Sequence, residues 1–164
     1  MHFRRIGCAV LLAATLFTPA SPVKAQTVPQ GTINKLVSLM QQCGYDYKTT
    51  SSPSVFIIHS AGTNLKDIKV VLALGGDEDS DLVVFVTVVE KRRMPPTADF
   101  RYMLLKMNHE FDQIKIGFDR DDDLSVRIDA SMRLADATYL RNVVGQVQKS
   151  SDEIYGRIQP QLLP

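Results

Sequence analysis

Two acidic runs have the carboxylate spacing that calcium loops use. In the first, Asp119–Asp123, acids stand at alternate positions, which is the opening pattern of an EF-hand loop. A complete loop also needs glycine at its sixth position and glutamate at its twelfth, where this chain has Leu124 and Ala130. The second run, Asp77–Asp81, lacks the same two residues. The sequence therefore predicts acidic hairpin turns, and no metal site, at both runs.

No other group of residues has the spacing of a catalytic or metal-binding site. His109 and Glu110 lack the second histidine of the H-E-x-x-H zinc motif, and His59 is the one other histidine after residue 25. Neither the G-x-S-x-G turn of serine hydrolases nor a glycine-rich phosphate loop occurs. The basic run Lys91–Arg93 is short and follows a predicted strand, which favours a solvated turn over an anion site. We therefore expect no catalytic residue and no cofactor.

The first 25 residues have the order of a cleaved secretory signal peptide. A basic head with Arg4 and Arg5 precedes an apolar run, Ile6–Phe17, and the segment ends on Val23–Ala25. The apolar run is shorter than the ~20 residues that span a bilayer, and no later segment is long and apolar enough. The sequence therefore predicts cleavage after Ala25, a periplasmic or secreted protein, and no stable membrane insertion after cleavage. A retained N-terminal anchor is the alternative.

The charge balance of the remaining chain excludes two classes of partner. Removal of residues 1–25 leaves 16 basic and 18 acidic residues, a formal net charge of −2. Nucleic-acid-binding domains carry a strong excess of basic residues, and polybasic surfaces hold proteins to anionic lipid. We therefore expect neither nucleic acid nor a lipid surface as the partner.

Cysteine content points to a protein without internal disulfides. Cys8 lies in the predicted signal peptide, so Cys43 is the single cysteine left, and an intramolecular disulfide is impossible. Cys43 ends a predicted helix near its apolar side, which favours a buried, inert thiol. A reactive thiol that pairs with another molecule is the alternative.

The remaining chain divides into a short polar leader, residues 26–31, and one α+β domain, residues 32–162. Apolar residues recur at helical spacing in three segments and at strand spacing in five. The predicted helices are one capped by Thr32 and stopped at Gly44, one capped by Thr97 with apolar residues to Phe111, and one from about Asp136 to Ile158. The predicted strands are Ser54–Ser60, Ile68–Leu74, Leu82–Val89, Ile114–Phe118 and Leu124–Asp129.

Short turns between the strands predict a mostly antiparallel sheet with packed helices, in the order α-βββ-α-ββ-α. Leu82–Val89 is apolar at nearly every position, which predicts a central strand covered on both faces. The hairpin around Asp119–Asp123 alternates apolar and polar residues, which predicts one covered and one solvated face. Tyr45–Pro53 is polar and β-prone and is not counted among the strands.

The second half of the chain resembles the YbjN family of bacterial domains. Residues 104–108, 114–119 and 123–129 give a helix ending at Asn108, a strand, an acidic turn and a second strand. Asp152 in the last helix and Gly44-Tyr45 after the first also match the family pattern. The family shares the architecture of type III secretion chaperones, so the resemblance implies that fold. It supplies no catalytic residues.

Together these observations favour an exported, non-enzymatic module that binds a protein or peptide in a chaperone-like manner, as a monomer or a weak homodimer. The alternative is a small-ligand-binding protein, or an enzyme whose site is assembled from scattered polar residues. A purely structural envelope protein is a third possibility. The predicted signal peptide argues against a role with cytosolic effectors, which type III secretion chaperones serve.

Overall fold

The computed structural model describes residues 28–75 and 82–164. The predicted signal peptide, its cleavage position at Ala25 and the acidic run Asp77–Asp81 lie outside the described residues. The helices of the described chain are α1 (Gln30–Cys43), α2 (Ala98–Glu110) and α3 (Ala137–Ile158). The strands are β1 (Tyr47–Thr49), β2 (Val55–Ser60), β3 (Ile68–Leu74), β4 (Leu82–Val89), β5 (Lys115–Phe118) and β6 (Leu124–Ala130). Two single-turn 3₁₀ helices, Lys91–Arg93 and Gln159–Gln161, complete the chain.

The strands form one antiparallel sheet in the order β1-β2-β3-β4-β6-β5. The α+β class, the antiparallel pairing and the packed helices confirm the sequence prediction. The sheet has one strand more than predicted, because the β-prone segment before Pro53 contributes β1, which pairs with residues Phe56–Ile58. A strand of three residues has too short a pattern for periodicity to identify it.

Local capping chemistry accounts for the end of α1 and for the starts of α2 and α3. Gly44 adopts a left-handed conformation (φ 75°) that closes α1, as glycine allows without steric cost. The Thr97 hydroxyl accepts a hydrogen bond from the Phe100 N–H (3.3 Å), and the Asp136 carboxylate accepts one from the Tyr139 N–H (2.7 Å). These contacts confirm the predicted starts of α2 and α3.

The predicted start of α1 is wrong by three residues, since the observed cap position is Pro29 and the predicted one is Thr32. The helix begins at Gln30, inside the segment that the sequence assigns to the leader, and Thr32 lies within its first turn. The Pro29 carbonyl accepts hydrogen bonds from the N–H groups of Thr32 and Ile33 (3.0 and 3.3 Å). The backbone therefore enters the helix at Pro29, where no side chain caps it.

The helices cover one face of the sheet. α3 packs across β3, β4 and β6, α1 packs on α3, and α2 lies against β5. The side chains that point toward the helices are buried and form one apolar core, in which Leu72, Val84 and Val126 have no exposed surface. We call this side of the sheet the covered face.

The opposite side carries no helix within the described chain, and we call it the open face. Its central row crosses all six strands in register, as Lys48, Ile57, Val71, Phe85, Arg127 and Lys115. The prediction that β4 is covered on both faces is therefore wrong. Val83 and Phe85 of β4 are half-buried, because the apolar stripes of the helices are all used on the other side.

Candidate functional site

The acidic run Asp119–Asp123 forms the β5–β6 hairpin turn. One carboxylate oxygen of Asp119 accepts the N–H groups of Asp121 (2.9 Å) and Asp123 (3.0 Å), and Asp122 adopts a left-handed conformation (φ 62°). Aspartate is suited to such turns because its short side chain can bond the backbone two residues ahead. The carboxylate of Asp119 thus holds the turn in shape, as the turn prediction requires.

Two further acids of this turn, Asp122 and Asp123, bind the first residue of the basic run Lys91–Arg93. The Lys91 ammonium pairs with the Asp122 carboxylate (2.6 Å), and the Lys91 N–H donates to Asp123 (2.7 Å). The hydrogen bond and charge of Lys91 lower the pKa of the Asp122 carboxyl. The basic run is therefore a fixed connection between β4 and the hairpin, and its lysine has an acidic partner.

In the described chain, no three His, Cys, Asp or Glu side chains converge into a set that could hold a metal ion. His59 lies on β2, where its Nδ1 is 3.3 Å from a carboxylate oxygen of Asp67. His109 is exposed in the last turn of α2. Each histidine is thus accounted for by its own local surroundings.

Asn108, one of the residues that carry the YbjN resemblance, blocks the free edge of the sheet. Its side-chain amide donates to the Ile116 carbonyl (2.7 Å), and its side-chain oxygen accepts the Ile116 N–H (2.6 Å). β5 is an edge strand that pairs with β6 alone. An unpaired strand edge can pair with another chain. Asn108 therefore acts as a one-residue strand mimic that closes this edge.

Asp152, a second residue of the resemblance, ties α3 to the β2–β3 loop. Its carboxylate accepts the N–H groups of Thr63 (3.1 Å), Asn64 (2.8 Å) and Leu65 (2.7 Å). Partial burial raises the pKa of this carboxyl, but the bonds from the three backbone N–H groups and from the Asn64 side chain together lower it by more, so the pKa lies below its ordinary value. Gly62 is required beside it, because an added Cβ would lie 2.2 Å from a carboxylate oxygen. Asp152 is thus a structural tie.

Cys43 is half-buried, so the prediction of a fully buried thiol is only partly correct. Its Sγ donates to the Ala137 carbonyl (3.2 Å), which lies at the start of α3. The thiol therefore joins the end of α1 to the start of α3, with part of its surface still open to solvent.

With these residues assigned to the fold, the open face is the candidate functional site. Ile57, Val71 and Phe85 are neighbours on three adjacent strands, and each is half-buried although no helix of the described residues covers it. Adjacent strands lie ~4.8 Å apart, so the three apolar side chains form a strip ~10 Å long. Bases continue the row at both ends, with Lys48 on one side and Arg127 on the other.

Two hollows flank this apolar strip. The first measures about 580 Å³, and its lining includes Gly117, Ser125 and Phe85. The second measures about 470 Å³ and lies beside Ile57 and Val71. Surface of this kind, apolar in the centre with polar groups around it, is typical of protein-interaction sites.

Sequence reasoning missed this site, although a signal was present. β2 and β4 are apolar on both sides of the strand, whereas the hairpin of β5 and β6 alternates. From the sequence alone, the apolar character of β4 predicts a central strand that is covered on both faces. The same contrast is also compatible with a strand whose second apolar side binds a partner protein.

Among the helices of the described residues, none combines the length and the apolar character that crossing a bilayer requires.

The described elements have the α+β fold that the YbjN resemblance implies, and a similar fold occurs in a solved structure. Among solved structures, the chain is similar to the one titled "Crystal Structure of the ExsC-ExsE Complex", with a TM-score of 0.55 and 12% sequence identity. The match covers 77% of this chain and 92% of that chain. At this identity the likeness concerns the fold. No family model and no curated protein matches the sequence.

Proposed function

We infer that this protein is an exported, non-enzymatic, chaperone-like module that holds a segment of a partner protein on its open face. The observation that carries the proposal is the apolar strip Ile57–Val71–Phe85, which lies in the middle of the sheet and has no covering element in the described chain. The fold likeness supports the proposal, since the similar structure is a complex of two proteins. The YbjN resemblance supports the same chaperone-like role.

The chemistry of the polar residues supports a binding role over catalysis. Asp119 and Asp152 direct their carboxylates at backbone N–H groups, and Asp122 pairs with Lys91. Catalytic acids and bases must instead face a substrate. A carboxylate that is already bonded to the backbone on two or three sides has little capacity left for proton transfer.

A site-specific crosslinking experiment tests the proposed function. A photo-crosslinking phenylalanine analogue at position 85 should give, in the exporting cell, an adduct of defined mass with one protein. The matched control carries the same analogue at Asn142, an exposed residue of α3 on the other side of the molecule. Adducts from position 142 alone, or from neither position, would contradict a partner on the open face.

Export is the second part of the proposal and rests on the pattern of residues 1–25. N-terminal sequencing of the exported protein should give a chain that begins at Gln26, directly after Ala25. A mature chain that still contains Arg4 and Arg5 would show that the segment is a retained anchor.

We also propose that the protein is a monomer or a weak homodimer. Asn108 closes the β5 edge, and β1 at the other edge has only three residues. Neither edge therefore offers a long strand for pairing with a second copy. Light scattering over a concentration series should give the monomer mass at low concentration. A stable dimer at nanomolar concentration would be inconsistent with this proposal.

A small ligand is the alternative, and one hollow favours it. A space of about 640 Å³ lies between the segment Met94–Pro96, Phe100 and Phe118, with Arg101 at its margin. Its size falls in the range of small-molecule sites. A ligand that co-purifies with the protein, and is lost in Arg101→Ala but retained in Phe85→Ser, would favour this alternative.

A further inference from the structure

The open face has an excess of positive charge, although the exported chain has a slight excess of acids. Three bases on or beside this face, Lys48, Arg93 and Arg120, have no acidic partner among the described residues. Lys48 and Arg120 are exposed and Arg93 is half-buried, and such bases attract acidic groups over about 10 Å at moderate ionic strength. The open face is therefore basic in an otherwise near-neutral protein.

The acids of the open face are already engaged. Asp129 lies 2.5 Å from the Lys115 ammonium and 3.6 Å from the Arg127 guanidinium. Asp67 lies 3.3 Å from His59 and 3.6 Å from Lys69. Two further acids border the hollows: Glu90 pairs with Arg92 (2.6 Å), and Asp119 accepts two N–H groups of its own turn. The four acids are balanced in number by Lys69, Arg92, Lys115 and Arg127, which leaves the three unpaired bases in excess.

The hollow beside Phe85 supplies a place for an apolar anchor. Gly117 and Ser125 face each other on β5 and β6, and an added Cβ at Gly117 would meet no atom within 4 Å. Arg120, Lys115 and Arg127 surround this space. A large apolar side chain can therefore enter beside Phe85 while an acidic neighbour of that side chain meets Arg120, the one of these three bases that has no acidic partner in the described chain.

We propose that the open face binds an acidic segment of a partner protein, in which a large apolar residue is flanked by aspartate or glutamate. The apolar residue occupies the Gly117 hollow beside Phe85, and an adjacent acid pairs with Arg120. Acids farther along the segment reach Arg93 and Lys48, which lie toward the other edge of the sheet. A second copy of this chain does not fit, because two basic faces would repel each other. This inference deepens the proposed function and rests on it, since it names the chemistry of the partner.

Selection from a random peptide library tests the partner chemistry without assuming a sequence. Twelve-residue peptides displayed on phage are selected on the exported protein at low salt and counter-selected on Gly117→Leu. The new side chain fills the hollow and meets no atom at its Cβ, so this variant should melt within a few degrees of the wild type. The selected peptides should be enriched in Asp and Glu next to Leu, Phe or Ile, and should bind Gly117→Leu at least ten times more weakly.

Charge reversal then identifies the bases that take part. Arg120→Glu should weaken a selected peptide about tenfold, because an exposed attraction becomes a repulsion of similar size. Arg133→Glu is the matched control: Arg133 is also exposed and unpaired in the described chain, and it lies outside both hollows, so binding should stay within about twofold of the wild type. Equal effects of the two reversals would mean that net charge alone governs binding and would overturn the proposal.

The remaining outcomes separate this inference from the proposed function. Selected peptides that lose binding in Gly117→Leu but carry no acidic bias would overturn the acidic partner and leave a protein-binding open face intact. Sedimentation with phosphatidylglycerol vesicles, abolished by Arg120→Glu, would replace the peptide with a lipid surface. A selection that yields no binder sensitive to Gly117→Leu would overturn the anchor hollow, while the adduct at position 85 decides the proposed function independently.

Discussion

The two faces of the sheet are built from the same strands but differ in solvent exposure. On β4, Val84 points into the core with no exposed surface, while its neighbour Val83 points to the open face and is half-buried. Both residues are valine, so the amino acid itself does not decide the environment. The difference shows that apolar strand residues in this protein serve two purposes: stability on the covered face and, as we propose, recognition on the open face.

The largest expected effect comes from one substitution made on both faces. Val84→Ala should lower the free energy of unfolding by about 2–3 kcal/mol, because it removes two buried methyl groups and leaves a cavity. Val83→Ala should lower it by less than about 1 kcal/mol, since that side chain is already partly solvated. Urea unfolding of both variants measures the difference. Equal losses would mean that the open face is covered in the folded protein.

The polar tie between α3 and the β2–β3 loop should give the next largest effect. Asp152→Asn should lower the free energy of unfolding by about 2 kcal/mol at neutral pH, because it removes the charge that three backbone N–H groups bind. The control is Glu153→Gln, which removes one exposed acid beside Arg157 and should cost less than about 0.5 kcal/mol.

The contribution of Asp152 should also depend on pH. The folded pKa of its carboxyl lies below the unfolded value of 3.8. Its stabilisation is therefore complete above the unfolded pKa and is lost as the pH falls through the lowered folded pKa. The stability difference between the wild type and Asp152→Asn should shrink as the pH falls below about 4. A difference that stays constant down to pH 2 would assign the effect to shape rather than charge.

The β5 edge, which Asn108 closes, allows pairing through a strand edge to be tested separately from binding on the open face. Asn108→Ala should lower the free energy of unfolding by about 1–1.5 kcal/mol, because the N–H and carbonyl of Ile116 lose their partners. It should also produce concentration-dependent dimers in light scattering. Asn142→Ala, on the exposed side of α3, should do neither. A strictly monomeric Asn108→Ala would show that the edge is closed by more than this side chain.

The smallest expected effect is an increase in stability from a substitution on the covered side of the sheet. The Ser151 hydroxyl is fully buried and has no hydrogen-bond partner among the described residues. Ser151→Ala should raise the free energy of unfolding by about 1 kcal/mol, since it removes an unsatisfied polar group and favours the helix. Ser150→Ala gains only the helix preference of alanine, about 0.5 kcal/mol. A loss of stability in Ser151→Ala would mean that this hydroxyl has a partner in solution.

Prediction from the sequence succeeded where the interactions are local. Thr97 and Asp136 cap helices through an N–H three residues ahead, and Asp119 holds a turn through residues two and four positions away. Such bonds depend on a few backbone angles, so residue type and position predict them. β1 was not predicted, because its pairing partner lies on another strand and its own pattern is only three residues long.

The residues of the YbjN resemblance show where local reasoning ends. Asn108 and Asp152 are visible in the sequence as pattern matches, but their roles depend on contacts with Ile116 and with the loop at Thr63–Leu65. The second contact joins residues almost ninety positions apart. The family pattern therefore identifies both residues but does not predict their structural roles.

The sequence by itself determined the α+β class, the antiparallel pairing, the extent of α2 and α3, and the acidic turn. These features follow from hydrophobic period and capping, which act over a few residues. Only the tertiary structure decided that α1 and α3 stack on one side of the sheet and that Ile57, Val71 and Phe85 are left together on the other. The physical reason is that burial of an apolar side chain lowers the free energy whichever apolar surface covers it. The same apolar strand pattern is therefore compatible with cover by a helix of this chain or by a partner protein. Which of the two applies depends on the path of the whole chain.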